Sequence, residues 1–188
     1  MKKILLLSIA VFVCMQWVNA QNLRPKKNYL DINAGLGILP TFIKDAGKAK
    51  VLPLSLSADY QVVEHFSVGA FAGYSVTETD VRALSDGSTA QWENRFSIFG
   101  LRLAARSSQL GPWSIYGGLS AGYSVSKIDL KQGELEKVKA EKNIRDVSGK
   151  TVITGFLGGR YSFTPRVGIF GELGYGVSLA SVGLSVRI

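Results

Sequence analysis

The stretch WSIYGGLSAGYSVSKIDL, residues 113–130, decides the fold. One of its alternate rows is Trp113, Ile115, Gly117, Leu119, Ala121, Tyr123 and Val125; the other is Ser114, Tyr116, Gly118, Ser120, Gly122, Ser124 and Ser126. Alternation with period two belongs to a strand held between two unlike environments. The second row is too small and polar for a sandwich core. It suits the cramped inside of a small closed barrel, with the apolar row facing lipid.

The pattern repeats along the chain. Candidate strands lie at residues 28–38, 51–62, 66–77, 92–107, 113–130, 151–163, 167–178 and 181–188. Three connections are tight turns: Val63-Glu64-His65, Ser108 to Pro112, and Thr164-Pro165-Arg166. The alternate ones, Leu39 to Lys50, Glu78 to Gln91 and Lys131 to Lys150, are long, and only Leu179-Ala180 departs from the rhythm. Short and long connections in turn, with an even strand count, are the signature of an up-and-down barrel whose N-terminus and short turns share the periplasmic side and whose longer loops face outward. Backbone polar groups in hydrocarbon must all be paired, so strands cross a bilayer only as a closed sheet. After the first residues no apolar run approaches the roughly 20 residues of a spanning helix. The expected fold is therefore all-β, an eight-stranded antiparallel up-and-down transmembrane β-barrel.

The N-terminus supplies the route. MKKILLLSIAVFVCMQWVNA opens on Lys2 and Lys3, continues through an apolar run from Ile4 to Met15, and ends in the small-x-small step Val18-Asn19-Ala20. This predicts a secretory signal peptide over residues 1–20, a periplasmic lead-in over 21–27 and the barrel over 28–188. Cys14, the only cysteine, leaves with the leader; bulky Phe12 and Val13 before it argue against a lipid-attachment site. No disulfide or thiolate metal site is then expected. The chain carries 22 basic and 14 acidic residues, a mild excess compatible with anionic lipid or lipopolysaccharide at the barrel rims. The basic residues form no continuous tract, which with secretion excludes nucleic acid as a partner.

Parity assigns the inward row. It includes Asp31, Asn33, Gly35 and Gly37; Ser55, Ser57, Asp59 and Gln61; Arg102 and Arg106; Arg160; Glu172; and Ser185 with Arg187. Eight strands enclose a space that side chains can fill. Asp31, Asp59 and Glu172 are expected to pair with Arg102, Arg106, Arg160 and Arg187, with Phe71, Tyr116, Phe156 and Phe170 occupying much of the remaining volume. Arginine's fixed fork of donors can serve two acceptors at once. Near the strand ends, Phe66, Tyr74, Trp113, Tyr123, Tyr161, Phe163 and Tyr175 are the candidate aromatic girdles. At roughly 3.3 Å per residue and a strong tilt, the interval from Trp113 to Tyr123 matches the ~25 Å apolar band between two such girdles.

Catalytic candidates are sparse. His65, the single histidine, falls in a tight turn beside Glu64 and near Ser67, an arrangement that more commonly caps a turn than activates a nucleophile. No zinc set and no cofactor motif is recognisable. The stretch 131–150, rich in alternating signs, is the most solvated connection; it could extend the fifth and sixth strands above the membrane, form a short helix or stay a loosely ordered loop, or be a recognition surface whose lysines meet lipopolysaccharide phosphate.

With GAFAGYSV at 69–76, YGGLSAGYSV at 116–125 and FGELGYGVS at 170–178, the chain from Asn28 to Ile188 resembles the eight-stranded outer-membrane barrels of the broad OmpA-like and OmpX-like class, especially the small barrels of Bacteroidota-type bacteria. The resemblance implies insertion in the outer membrane with the help of periplasmic chaperones and the outer-membrane assembly machinery. That machinery reads an alternating last strand, here Val182, Leu184, Val186 and Ile188, with isoleucine where relatives end in an aromatic residue. The expected function is a monomeric structural or surface-interaction barrel of the Gram-negative envelope, with a polar, largely plugged interior, an unknown surface ligand and no enzyme activity. The alternatives are a small transporter or pore and, further off, a lipid-modifying enzyme.

Overall fold

The computed structural model describes residues 28–38, 48–83, 87–108, 110–133 and 147–188. The expected signal peptide, the lead-in and the middle of the 131–150 connection lie outside the described residues. Nine strands follow one another: β1 (Leu30–Gly37), β2 (Lys48–Val63), β3 (Phe66–Glu78), β4 (Arg82–Ala83), β5 (Thr89–Arg106), β6 (Trp113–Gln132), β7 (Val147–Ser162), β8 (Val167–Gly174) and β9 (Ala180–Arg187). Eight of them form the wall; β4 is a two-residue addition paired to the start of β5. Every neighbour in the wall is antiparallel, and β1 closes the ring against β9 through reciprocal hydrogen bonds between Leu30 and Ile188, both 2.9 Å.

The register measures the closure. From Leu36 on β1 the partners run through Leu54, Tyr74, Ser97 and Val125 to Gly149 on β7; the other way round they run through Val182 and Gly171 to Gly159. The two paths meet on one strand ten residues apart, at 149 and 159, so the sheet closes with a shear of ten. For eight strands that sets a tilt of about 40° and a rise along the barrel axis of about 2.5 Å per residue.

Local chemistry explains the ends. At the β5–β6 turn Gly111 takes the left-handed φ of 61° just before Pro112, and Leu110 and Trp113 exchange backbone hydrogen bonds of 2.8 and 3.1 Å across it. At the β7–β8 turn the Thr164 hydroxyl accepts the Val167 amide at 2.9 Å. Pro53, which has no N–H to give a ladder, lies in a register irregularity of β2 between Val51 and Leu54, where β1 has nearly run out.

Two expectations change. Most long connections are shorter than the sequence suggested, because β2, β5 and β7 begin at Lys48, Thr89 and Val147 and β6 continues to Gln132. The seventh segment, expected to run to Ser178, stops at Gly174, and residues 175–179 fold into the outer mouth of the barrel. There Val177, 5% exposed, packs on Phe96 and Ile98, with Phe71 and Val152 alongside. The turn fits because two facing strands offer glycines: a β-carbon at Gly73 would stand 2.8 Å from that of Val177, and one at Gly37 would collide with Ser178. Alternation in Tyr175-Gly176-Val177-Ser178 reads as more strand because those seats are supplied by residues over a hundred positions away.

Candidate functional site in the barrel interior

The inward row carries two rungs of charge. In the rung nearer the short turns, Asp31 is fully buried and takes a two-pronged contact from Arg187, Nε to Oδ1 at 2.8 Å and Nη2 to Oδ2 at 3.0 Å. Arg106 Nη2 approaches the same carboxylate at 2.9 Å, and the Arg187 guanidinium stacks 3.9 Å from the centre of the Tyr29 ring. One carboxylate thus holds two guanidinium groups from strands on opposite sides of the lumen, which is possible because ionised oxygens accept several donors each.

The second rung lies further out. Arg102 bridges two acids: its Nη2 donates to Glu172 Oε2 at 2.8 Å, and its Nε lies 3.1 Å from Asp59 Oδ1, an ion pair too oblique to count as a hydrogen bond. Phe156 covers the guanidinium face at 3.9 Å. Asn33 Nδ2 donates to Ser57 Oγ at 3.1 Å and lies 3.4 Å from Asp59 Oδ2, tying β1 to β2.

Arg160 behaves differently from the expected pairing. Its contacts are hydroxyls and a carbonyl: Ser185 Oγ at 2.8 Å, Ser162 Oγ at 2.6 Å and the Arg166 carbonyl at 3.3 Å. Arg106 and Arg187 already occupy Asp31, and the contacts Arg160 makes are with neutral acceptors. Gln61, whose Nε2 donates to the Val63 and Glu64 carbonyls at 2.7 and 2.8 Å, fastens the β2–β3 turn from inside the barrel. Its role was not apparent from alternation, which gave its side but not its target.

Above the second rung is a cavity of about 60 Å³ lined by Asn33, Ser120, Thr154, Phe170 and Glu172 among others, with Val177 over it. Farther out the lumen turns apolar, with Trp92 and Ala90 buried against Ile128 and Leu130. The Thr79 hydroxyl and the Trp92 backbone contact each other at 3.1 Å there, holding the outer part of β5 against the end of β3.

The outside of the wall has the opposite character. Leu56, Leu101, Leu103, Ile115, Leu119, Ile153, Leu157, Leu173 and Leu184 are all exposed. The exposed aromatics Tyr74, Tyr123 and Tyr175 are joined by Phe99 near the outer end of this belt, and Phe66, Trp113 and Phe163 by Tyr60 near the inner end. Tyr161 is partly covered because it sits between Trp113, 4.8 Å away, and Phe163, 5.4 Å away. From the register and tilt the two rows stand about 20–25 Å apart along the axis.

His65 does not meet a nucleophile. Its Nδ1 lies 3.2 Å from the Arg106 carbonyl oxygen, so that nitrogen donates to backbone, while Ser67 points into the lumen and is 1% exposed. Among the described residues no three metal-ligating side chains gather.

No family model matches the sequence, and no curated protein matches it. Solved structures do. The outer membrane protein OprG from Pseudomonas aeruginosa superposes with a TM-score of 0.61 at 15% identity, over 87% of this chain and 97% of that one. Ail, the attachment invasion locus protein of Yersinia pestis, solved with the heparin analogue sucrose octasulfate, gives 0.49 at 14% identity over 87% of this chain and all of its own; Neisserial surface protein A gives 0.48 at 16% over 87% and 97%. Closed register, alternating connections and the likeness to OprG together establish an all-β, eight-stranded antiparallel up-and-down barrel, the fold of small Gram-negative outer-membrane proteins.

Proposed function

We propose that the protein is a structural or surface-interaction barrel of the bacterial outer membrane, secreted by the leader at residues 1–20, with a periplasmic lead-in at 21–27 and the barrel at 28–188. The observation that carries this reading is the inverted polarity of the wall: a continuous exposed apolar belt outside, and Asp31, Asp59, Arg102, Arg106 and Glu172 ion-paired inside. In water such a wall would leave its largest apolar surface uncovered. In a bilayer it satisfies both faces. Tyr74, Tyr123 and Tyr175 with Phe99 then mark the outer interface, and Phe66, Trp113, Tyr161 and Phe163 the periplasmic one. The two charged rungs and the Val177 turn fill the lumen at successive heights, which supports a closed barrel over a transporter or pore.

Two measurements test it. Single cysteines at Ser88 and Glu64, labelled with a membrane-impermeant reagent, should react in intact cells at 88 and only after lysis at 64. Protection of both, with the protein in the soluble periplasmic fraction, overturns the membrane reading. Purified protein in planar bilayers should give no steady large conductance; a sustained open level would replace the closed barrel with a pore.

A further inference from the structure

The outward face of the wall changes character above the outer aromatic row. There Glu93 on β5, its side chain 3% exposed, receives Lys50 Nζ at 2.8 Å from β2, Arg95 Nε at 3.0 Å from its own strand and Lys131 Nζ at 3.5 Å from β6. Asp129 holds Arg95 at 3.3 Å and Lys127 at 3.6 Å. The four cationic side chains remain 43–56% exposed. A buried carboxylate thus serves as the hub of a cationic array whose outer surface is open. Glu78, opposite Glu93 in register, takes the Gln91 amide at 2.8 Å, and its register partner on β2 is Lys48. Among the described residues of the array, five cations against three carboxylates leave a surplus of two positive charges.

Position gives this surplus a partner. Arg95 and Lys127 each lie four residues outward from an aromatic of the outer row, Phe99 and Tyr123, which at the barrel's tilt is about 10 Å along the axis. That is the headgroup layer of a bilayer whose hydrocarbon begins at the aromatic row, and flexible lysine stems can bring their ammonium groups lower still. Directly below Lys50 an apolar groove runs down the outside of β9, β1, β2 and β3, floored by Ala34 and Ala72 and walled by Leu36, Leu54, Tyr74 and Leu184. An extended hydrocarbon chain fits a trough of that chemistry, and Tyr74 borders both groove and array.

We infer that this face binds one phosphorylated lipid of the outer leaflet, its phosphate held by Lys50, Arg95 and Lys127 and one acyl chain lying in the groove below. The inference rests on the outer-membrane reading. Glu93 pre-sets the array, since the cations are already gathered before a phosphate arrives and less side-chain freedom is lost on binding. Lys131 and Asp129 steer Arg95 and Lys127 without needing to touch the lipid.

The test uses the full mature chain, folded in detergent and examined by native mass spectrometry with bis-phosphorylated lipid A, with the same lipid after enzymatic dephosphorylation, and with inorganic phosphate as competitor. Expected is at least a tenfold preference for the phosphorylated lipid, which millimolar inorganic phosphate does not abolish because the acyl chain contributes. The triple variant Lys50→Gln, Arg95→Gln, Lys127→Gln should lose the preference, and Ala72→Phe should weaken both lipids alike by obstructing the groove. Equal binding of the two lipids by the unaltered protein, or displacement by inorganic phosphate alone, overturns the inference without any variant. Insertion into vesicles, followed in parallel by heat-modifiable migration, separates the two readings: a chain that inserts but has no lipid preference sinks this site only, and one that fails to insert sinks the membrane barrel.

Discussion

Strand β5 is two strands laid end to end. Inward of Ser97 it presents Phe99, Leu101, Leu103 and Ala105 to the outside and Gly100, Arg102, Ala104 and Arg106 to the lumen; outward of Ser97 it presents Arg95 and Glu93 to the outside and Phe96 and Trp92 to the inside. β6 does the same, changing from Leu119, Ala121 and Tyr123 outside to Lys127 and Asp129 outside, with Ile128 and Leu130 turned in beside Trp92. As far as Trp92 on β5 and Leu130 on β6, where the register slips by one residue, the alternation holds and only its sense inverts, on both strands just beyond the outer aromatic row. On the proposed outer-membrane reading, the solvent outside the wall changes there from hydrocarbon to water, and the lumen changes with it. Where lipid supplies the apolar surroundings the interior can be polar, and where water surrounds the wall the chain must build its own apolar core.

The comparison makes the two regions separable, and Asp31 offers the largest effect. Asp31→Ala strands Arg106 and Arg187 as buried charges without a carboxylate, a loss expected to cost about 3–5 kcal/mol and to lower the denaturant midpoint of the whole barrel in vesicles. Trp92→Ala should cost about 3 kcal/mol by cavity formation, but locally. The outer ends of β5 and β6 should become protease-sensitive while the membrane-embedded part keeps its heat-modifiable migration. If Trp92→Ala lowered the midpoint as far as Asp31→Ala does, the wall would be one cooperative body and the division would fail.

Gly73→Leu probes the boundary itself. The new side chain needs the space of Val177, so the 175–179 turn should be expelled from the mouth at a cost of about 1–3 kcal/mol, with a cysteine placed at Thr154 gaining reactivity toward an external thiol reagent. Conductance should remain absent, since the Arg102 rung and the Asp31 rung still close the lumen beneath. Unchanged protection of residue 154 would mean that the turn does not stopper the mouth.

How much of this the sequence could tell follows from the range of each signal. Alternation is local, so the strands, their inward row and the closed fold were legible in Trp113 to Leu130 and its counterparts. The shear of ten is not local. It alone decides that Arg106 and Arg187 share Asp31 while Arg160 meets Ser185 and Ser162, that Gly73 seats Val177, and that Lys50 reaches Glu93 across β3. Parity says which side of the wall a residue is on; the height of its partner needs the register of every strand between. The Tyr175–Leu179 turn escaped for a related reason, because a glycine seat on a distant strand leaves no mark beside the residues it receives.

The smallest effect sharpens the outer side of the comparison. Hydrogen bonds from Lys50 and then Arg95, with Lys131 nearby, hold the Glu93 carboxyl well below the usual carboxylate range, to about 2. A carboxyl whose folded value is depressed binds protons more readily in the unfolded chain, so its contribution is fully present above an ordinary glutamate value near 4.5 and is lost as pH falls toward 2. Lys50 and Arg95, whose hydrogen bonds to Glu93 hold them above their ordinary values, stay charged throughout that window, and Glu78 and Asp129, the other carboxyls of the array among the described residues, are common to both chains being compared. The stability difference between the protein and its Glu93→Gln variant should therefore be flat from pH 8 to about 5, shrink between about 4.5 and 2, and vanish at the acid end; because the cations around Glu93 are themselves 43–50% exposed, it should also shrink with added salt. A difference that persists at the acid end, or that is absent at neutral pH, would mean that the array stands without its hub and that the charge outside the outer wall is a solvated surface instead of an assembled one.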